Sequence, residues 1–240
     1  MKKIICIAVI LLSNTIIHAQ WGTDKINDNG HITTENRSTS DYEGIKCAGS
    51  FDYILVSGSE GRITLEGESN LLQHIVTEVK NGQLHIKTEK GKSLRPSNNK
   101  TIKITIPFKD INHVSLSGSG DLWNTDTISS DNLDVYLSGS GDIILDVQTN
   151  DVSGKVTGSG DLTLKGRTNH LSAGVTGSGD FHGFKLQATD TDVSVTGSGD
   201  ADVVCNGRLK ARVTGSGDIE YKGNPTHRDT KVTGSGSIEN

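Results

Sequence analysis

The chain has 240 residues, with 24 basic and 29 acidic side chains, a net charge of −5, 4% aromatic residues and only three prolines against 29 glycines. An acidic balance without clustered Lys and Arg argues against nucleic acid or anionic lipid as a partner. The composition is neither collagenous nor that of a disordered chain, and the length suffices for one sizeable core built from Val, Ile, Leu and Ala.

Met1, Lys2 and Lys3 make a basic start, residues 4–12 are an apolar run containing Cys6, and the chain then turns polar towards Ala19 and Gln20. This is the layout of a secretory signal peptide over residues 1–19. The apolar run is shorter than the roughly 20 residues that cross a bilayer. Cys6 lies inside that run, so no lipid anchor is expected at the cleavage site. The mature chain, from Gln20, keeps 22 basic and 29 acidic residues, a net charge of −7. It is expected in the periplasm, on the outer cell surface or outside the cell, with no membrane insertion after signal cleavage. Cys47 and Cys205 remain, and one disulfide or two buried thiols are both open readings.

Residues 20–40 are polar and are expected to be partly disordered. Residues 41–240 read as one domain, irregular over 41–117 and regular over 118–240. In the irregular part, alternation predicts strands over 51–56, 62–65, 83–86 and 101–106, with Pro107 ending the last of them. Residues 69–76 read as a short helix with Ser69 as its N-cap, and residues 90–100 as a basic, polar loop.

From residue 118 a tetrapeptide returns. Gly-Ser-Gly occurs at Gly118, Gly139, Gly158, Gly177, Gly197, Gly215 and Gly234, with the second glycines at Gly120, Gly141, Gly160, Gly179, Gly199, Gly217 and Gly236. Asp follows in six copies, as Asp121, Asp142, Asp161, Asp180, Asp200 and Asp218, and Ser237 stands in the seventh. Positions are counted here from the first glycine of each copy. Position −2 is always apolar (Leu137, Val156 and Val175, for example), and so is position +4 (Ile143, Leu162 and Phe181). The period between these positions is two, so they are strands with one buried face. Copies recurring every 18 to 21 residues are the mark of stacked coils, each burying its face on the next about 4.8 Å away. The predicted fold is all-β: a parallel β-helix-like stack of roughly 19-residue coils. Continued alternation points both glycines of each copy inward at a corner, where walls approach closely.

With Gly49-Ser50-Phe51-Asp52 opening a strand, a later strand ending in Ile106-Pro107, and serial GSGD coils, the chain resembles the auto-transporter adhesin, head GIN domain family over roughly residues 42–240. The resemblance implies a right-handed β-helix-like fold, no established catalytic residues and a role in cell adhesion.

Six carboxylates one coil apart repel by about 1 kcal/mol per neighbouring pair in water-like surroundings. Either Ca²⁺ held by Asp121, Asp142, Asp161, Asp180, Asp200 and Asp218, or hydrogen bonds from backbone N–H and Ser hydroxyl groups, could offset that. The second reading is preferred, because the GSGD period differs from the nine-residue calcium repeat. No cofactor is expected. An enzyme on a β-helix, a polysaccharide lyase or hydrolase, needs acids and bases that break the repeat. The candidates are His170, His182, Lys185, Asp190, Asp192, Arg208 and Arg212, and none has a catalytic spacing. Rows of Thr157, Thr176, Thr196, Thr214 and Thr233 suit a repetitive polymer. The expected function is therefore non-enzymatic binding of a cell-surface or matrix glycan or protein. Self-association through the last coil's open edge is a weaker expectation.

Overall fold

A computed structural model of the chain describes residues 23–97 and 100–240; the segment read as a signal peptide lies outside them. Identical positions of successive copies pair in parallel: Gly139 lies against Gly158, which lies against Gly177, Gly197, Gly215 and Gly234 in turn. The register follows from the interior. A slip of one residue would turn every inward Val and Leu to solvent. In register, Leu133, Val152, Leu171 and Leu209 form one buried column, and Leu137, Val156, Val175, Val195 and Val213 another. Strands Ile143–Gly158, Leu162–Gly177 and Phe181–Gly197 carry this alternation through most of a coil. The result is a β-solenoid, as the period predicted.

Copies of unequal length are accommodated locally. The extra residue between Gly177 and Gly197 forms a β-bulge, where the register passes from Thr163–His182 to Lys165–Lys185. Asp202 secures it, its Oδ1 accepting the N–H groups of Gly183 (2.8 Å) and Phe184 (2.6 Å).

The regular stack begins before residue 118. Strand Gly44–Gly49 pairs in parallel with His113–Gly118, and Asp52–Ser57 with Asp121–Asn124, so Gly49 and Asp52 lie beside Gly118 and Asp121. Gly49-Ser50-Phe51-Asp52 is therefore a first corner, with buried Phe51 in place of the second glycine. Beyond it, Gln83–Thr88 and Lys103–Phe108 extend the two sheets. They are joined by residues 89–102 rather than by a tight corner, which leaves room for an aromatic ring.

Antiparallel strands cover this end. Ile32–Ser38 pairs with Arg62–Glu68, which pairs in turn with Lys103–Phe108. Ile75–Lys80 and Gln83–Thr88 form a hairpin whose turn uses Asn81 and Gly82 at positive φ.

Four local expectations change. Within residues 20–40, where partial disorder was expected, strands Asp24–Asn27 and Ile32–Ser38 form, because backbone pairing from distant segments supplies what their polar side chains do not. The 90–100 loop contains strand Lys92–Arg95, paired with Asp24–Asn27 and tied by a Lys92–Asp24 ion pair of 2.9 Å. The helix is a single turn, Ser69–Leu72, with Glu68 as N-cap, and residues 75–80 are a strand. Ser69 begins the turn, and its hydroxyl accepts a hydrogen bond from the Asn29 amide instead of capping. Pro107 does not end its strand, which runs to Phe108: pairing with Arg62–Glu68 stops at Thr105, so no partner there needs a proline N–H. Cys47 and Cys205 are both free and buried.

Candidate functional site

The repeat corner shows why its letters recur. The first glycine of each copy has φ between +124° and +131°, a region that side-chain-bearing residues avoid. It is half-buried in the first six copies and exposed at Gly234, while the second glycine is buried in those six copies, so the alternation reading, which pointed both glycines inward, holds for the second alone. A Cβ on either glycine would lie closer than 3.0 Å to the carbonyl oxygen of the matching residue in the preceding coil, Phe51 for Gly120 and a glycine elsewhere. The crowding therefore runs along the stack axis and not across the interior. Those carbonyls are also used: Gly139 O accepts the N–H of Ser159 (2.8 Å) and of Gly160 (3.1 Å).

The Asp column is a hydrogen-bonded zipper. Asp121 Oδ1 accepts the backbone N–H of Asp142 at 3.1 Å, and Asp142 that of Asp161 at 3.0 Å. Asp161, Asp180, Asp200 and Asp218 repeat the contact to Asp180, Asp200, Asp218 and Ser237 at 2.6–3.0 Å. Each bond is charge-assisted, which offsets the repulsion between neighbours. The donors are backbone N–H groups, not the Ser hydroxyls also expected. Among the described residues, the ligating atoms of Asp161, Asp180 and His182 lie close enough together to hold a metal ion. One atom of each is already engaged: Asp161 and Asp180 through Oδ1 with backbone N–H groups, and His182 Nδ1 with Asp202 Oδ2 at 3.0 Å. Unfolding midpoints measured in EDTA and in millimolar Ca²⁺ should therefore agree within error. A large rise with Ca²⁺ would turn the column into a metal site.

Four of the seven non-repeating candidates meet. His170, Asp190, Asp192 and Arg208 line one open groove of about 660 Å³ along the coils. Its floor is the buried column Leu133, Val152, Leu171, Thr191 and Leu209, and its rims are positions −7 and −5. Successive coils bring opposite charges together. The Arg208 side chain donates to Asp190 Oδ2 at 2.6 and 3.0 Å while its N–H reaches Oδ1 at 2.8 Å. Lys210 reaches Asp192 at 2.6 Å, and Arg212 donates to Asp229. His170 Nδ1 stands 3.6 Å from Asp190 Oδ2. The groove does not collect the other three: His182 is held by Asp202, Lys185 lies beside Lys165, and Arg212 stands at position −3. Asp151, Lys210, His227 and Asp229 also line it and were not singled out from the sequence. Their signal was present, since positions −7 and −5 change from coil to coil while position −1 keeps Thr in the last five copies.

Arg208 holds the Asp190 carboxyl below its usual range, and Arg212 does the same for Asp229. Such groups stay ionised at neutral pH and make poor general acids. The exposed row Thr157, Thr176, Thr196, Thr214 and Thr233 runs alongside, in register.

A family model described as "Putative auto-transporter adhesin, head GIN domain" matches residues 41–225. Among solved structures, a "putative adhesin" of Bacteroides fragilis is 27% identical with a TM-score of 0.83, the match covering 90% of this chain and 99% of that one. A "putative lipid binding protein" of Parabacteroides distasonis is 26% identical, with a TM-score of 0.73 and coverage of 90% and 99%. A "putative adhesin" of Parabacteroides merdae, 21% identical with a TM-score of 0.70 and coverage of 90% and 98%, bears on the fold alone. No curated protein matches the chain.

Proposed function

The chain belongs to the auto-transporter adhesin, head GIN domain family, which its sequence matches over residues 41–225; from that premise we propose an exported, non-enzymatic adhesion protein that binds a cell-surface or matrix polymer along the outside of its coils. The observation that carries this reading is the groove. Its irregular charges form ion pairs from coil to coil, Asp190 with Arg208 and Asp192 with Lys210, and not a convergent acid–base constellation. A row of outward hydroxyls at one-coil spacing beside it suits a polymer with its own repeat.

The test is incubation of the mature protein with pectins, glycosaminoglycans and bacterial polysaccharides, reading both retention and chain length. Retention without depolymerisation is expected. Depolymerisation abolished by Asp190→Ala or His182→Ala would replace the adhesion reading with a polysaccharide lyase or hydrolase.

A further inference from the structure

The parallel register separates charges that the composition averages together. On the sheet leading into each corner, position −3 forms an outward column that runs His85, Lys46, Ser115, Tyr136, Lys155 and on to Arg212 and Lys231. It contains no carboxylate anywhere along its length, and neither does the Ser/Thr column beside it at position −1. The sheet leaving each corner carries the Asp zipper and, at position +5, Asp202, Glu220 and Glu239. The −3 and −1 columns thus make a basic, hydroxylated strip on an acidic protein, bounded by Asp134, Asp192 and Asp229 at position −5 and by Glu78 beyond His85.

At one end of this face Lys46, His85, Lys87, His113, Ser115 and Tyr136 line a groove of about 410 Å³. Lys87 is spent on Glu78 at 3.2 Å. Lys46 and Lys155 have no carboxylate partner among the described residues. Tyr136 lies in register between Ser115 and Lys155 and is 39% exposed, one of few large apolar side chains so displayed. Burial and the neighbouring Lys46 hold both His85 and His113 below the usual imidazole range, so at neutral pH they offer hydrogen bonds and not charge. From Lys46 to Lys155 is three coil steps, about 14 Å.

We propose that this face binds a linear anionic polysaccharide, with Lys46 and Lys155 meeting its carboxylate or sulfate groups and Tyr136 stacking on a sugar ring between them. The inference rests on the adhesion reading above and names its ligand class and site. Sparse cations separated by hydroxyls fit a polymer with widely spaced charges. A nucleic acid duplex carries a charge about every 1.7 Å and calls for a dense cluster. Anionic membranes likewise select groups of about four to eight basic residues.

Binding of the mature protein to immobilised polygalacturonate and a sparsely sulfated carrageenan, with dextran as the uncharged arm and a DNA duplex as a densely charged polyanion, tests this. Polygalacturonate reads carboxylate recognition and the carrageenan reads sulfate. The wild type should bind at least one of the two, more weakly as salt rises, and should not bind dextran. Lys46→Glu/Lys155→Glu should lose at least tenfold in affinity and Tyr136→Ala severalfold, with unchanged melting temperatures. Lys109→Glu, an exposed charge reversal elsewhere, should bind as wild type. Equal retention of the duplex would overturn the polysaccharide assignment. Dextran binding that the variants leave intact would overturn the anionic face while the adhesion reading stands. Depolymerisation of a probe would instead defeat that underlying reading.

Discussion

Gly160→Val is expected to prevent folding, and even Gly160→Ala to destabilise the protein by more than about 4 kcal/mol. Gly160 is buried, and its φ is not in the left-handed region, so space and not conformation decides the outcome. The added carbon would lie closer than 3.0 Å to the Gly141 carbonyl oxygen. That backbone cannot retreat, because Gly141 is packed against Gly120 in the same way, and Gly179 against Gly160. Elsewhere a Gly→Ala change at a compatible site stabilises by about 0.4–1 kcal/mol through the unfolded chain. Gly174 is such a site: a Cβ there meets only Ser194 Oγ at 3.7 Å and Lys155 Cγ at 3.8 Å. Thermal unfolding should place Gly174→Ala at or above the wild type and Gly160→Ala roughly 8–16 °C below it. A Gly160→Ala midpoint within error of the wild type would contradict the axial-crowding account.

Asp180→Ala should cost about 1–3 kcal/mol, and Asp180→Asn close to nothing. Asp180 Oδ1 accepts the Asp200 N–H at 2.7 Å, while its own N–H is held by Asp161 at 3.0 Å. Alanine removes the charge-assisted acceptor of the Asp200 N–H. Asparagine keeps an oxygen in place and removes one charge from a crowded column, so the lost charge assistance and the relieved repulsion nearly cancel. A column built for cations would make Asn about as damaging as Ala, because a neutral amide is a much poorer ligand than a carboxylate. Urea unfolding of the two variants separates these cases, and an Asn variant as unstable as the Ala variant would count against the zipper.

Corner chemistry was legible in outline for a physical reason. Both glycines and the Asp of GSGD serve a contact with their own copy one coil away, so the constraint reappears at a fixed period. Its direction was not legible. Alternation alone turned both glycines inward, whereas a positive φ at the first redirects the chain and leaves it half-exposed. The first corner, Gly49-Ser50-Phe51-Asp52, sits 69 residues before Gly118, because 89–102 and the antiparallel strands intervene. No period marks it as a coil.

What the sequence by itself determined is what repeats: an all-β stack, the register of its coils and the columns of Val, Gly and Asp. These follow from a side-chain period of two inside a chain period near nineteen. Tertiary structure alone decided which non-repeating residues are neighbours. Arg208 lies 18 residues from Asp190 and Lys155 lies 109 from Lys46, yet in-register stacking places the first pair in contact and the second in one column. Order in segments 24–27 and 92–95 was decided there too, since each supplies the other's backbone partners. A side-chain pattern records which face is buried, while backbone pairing and charge segregation depend on what the fold brings alongside.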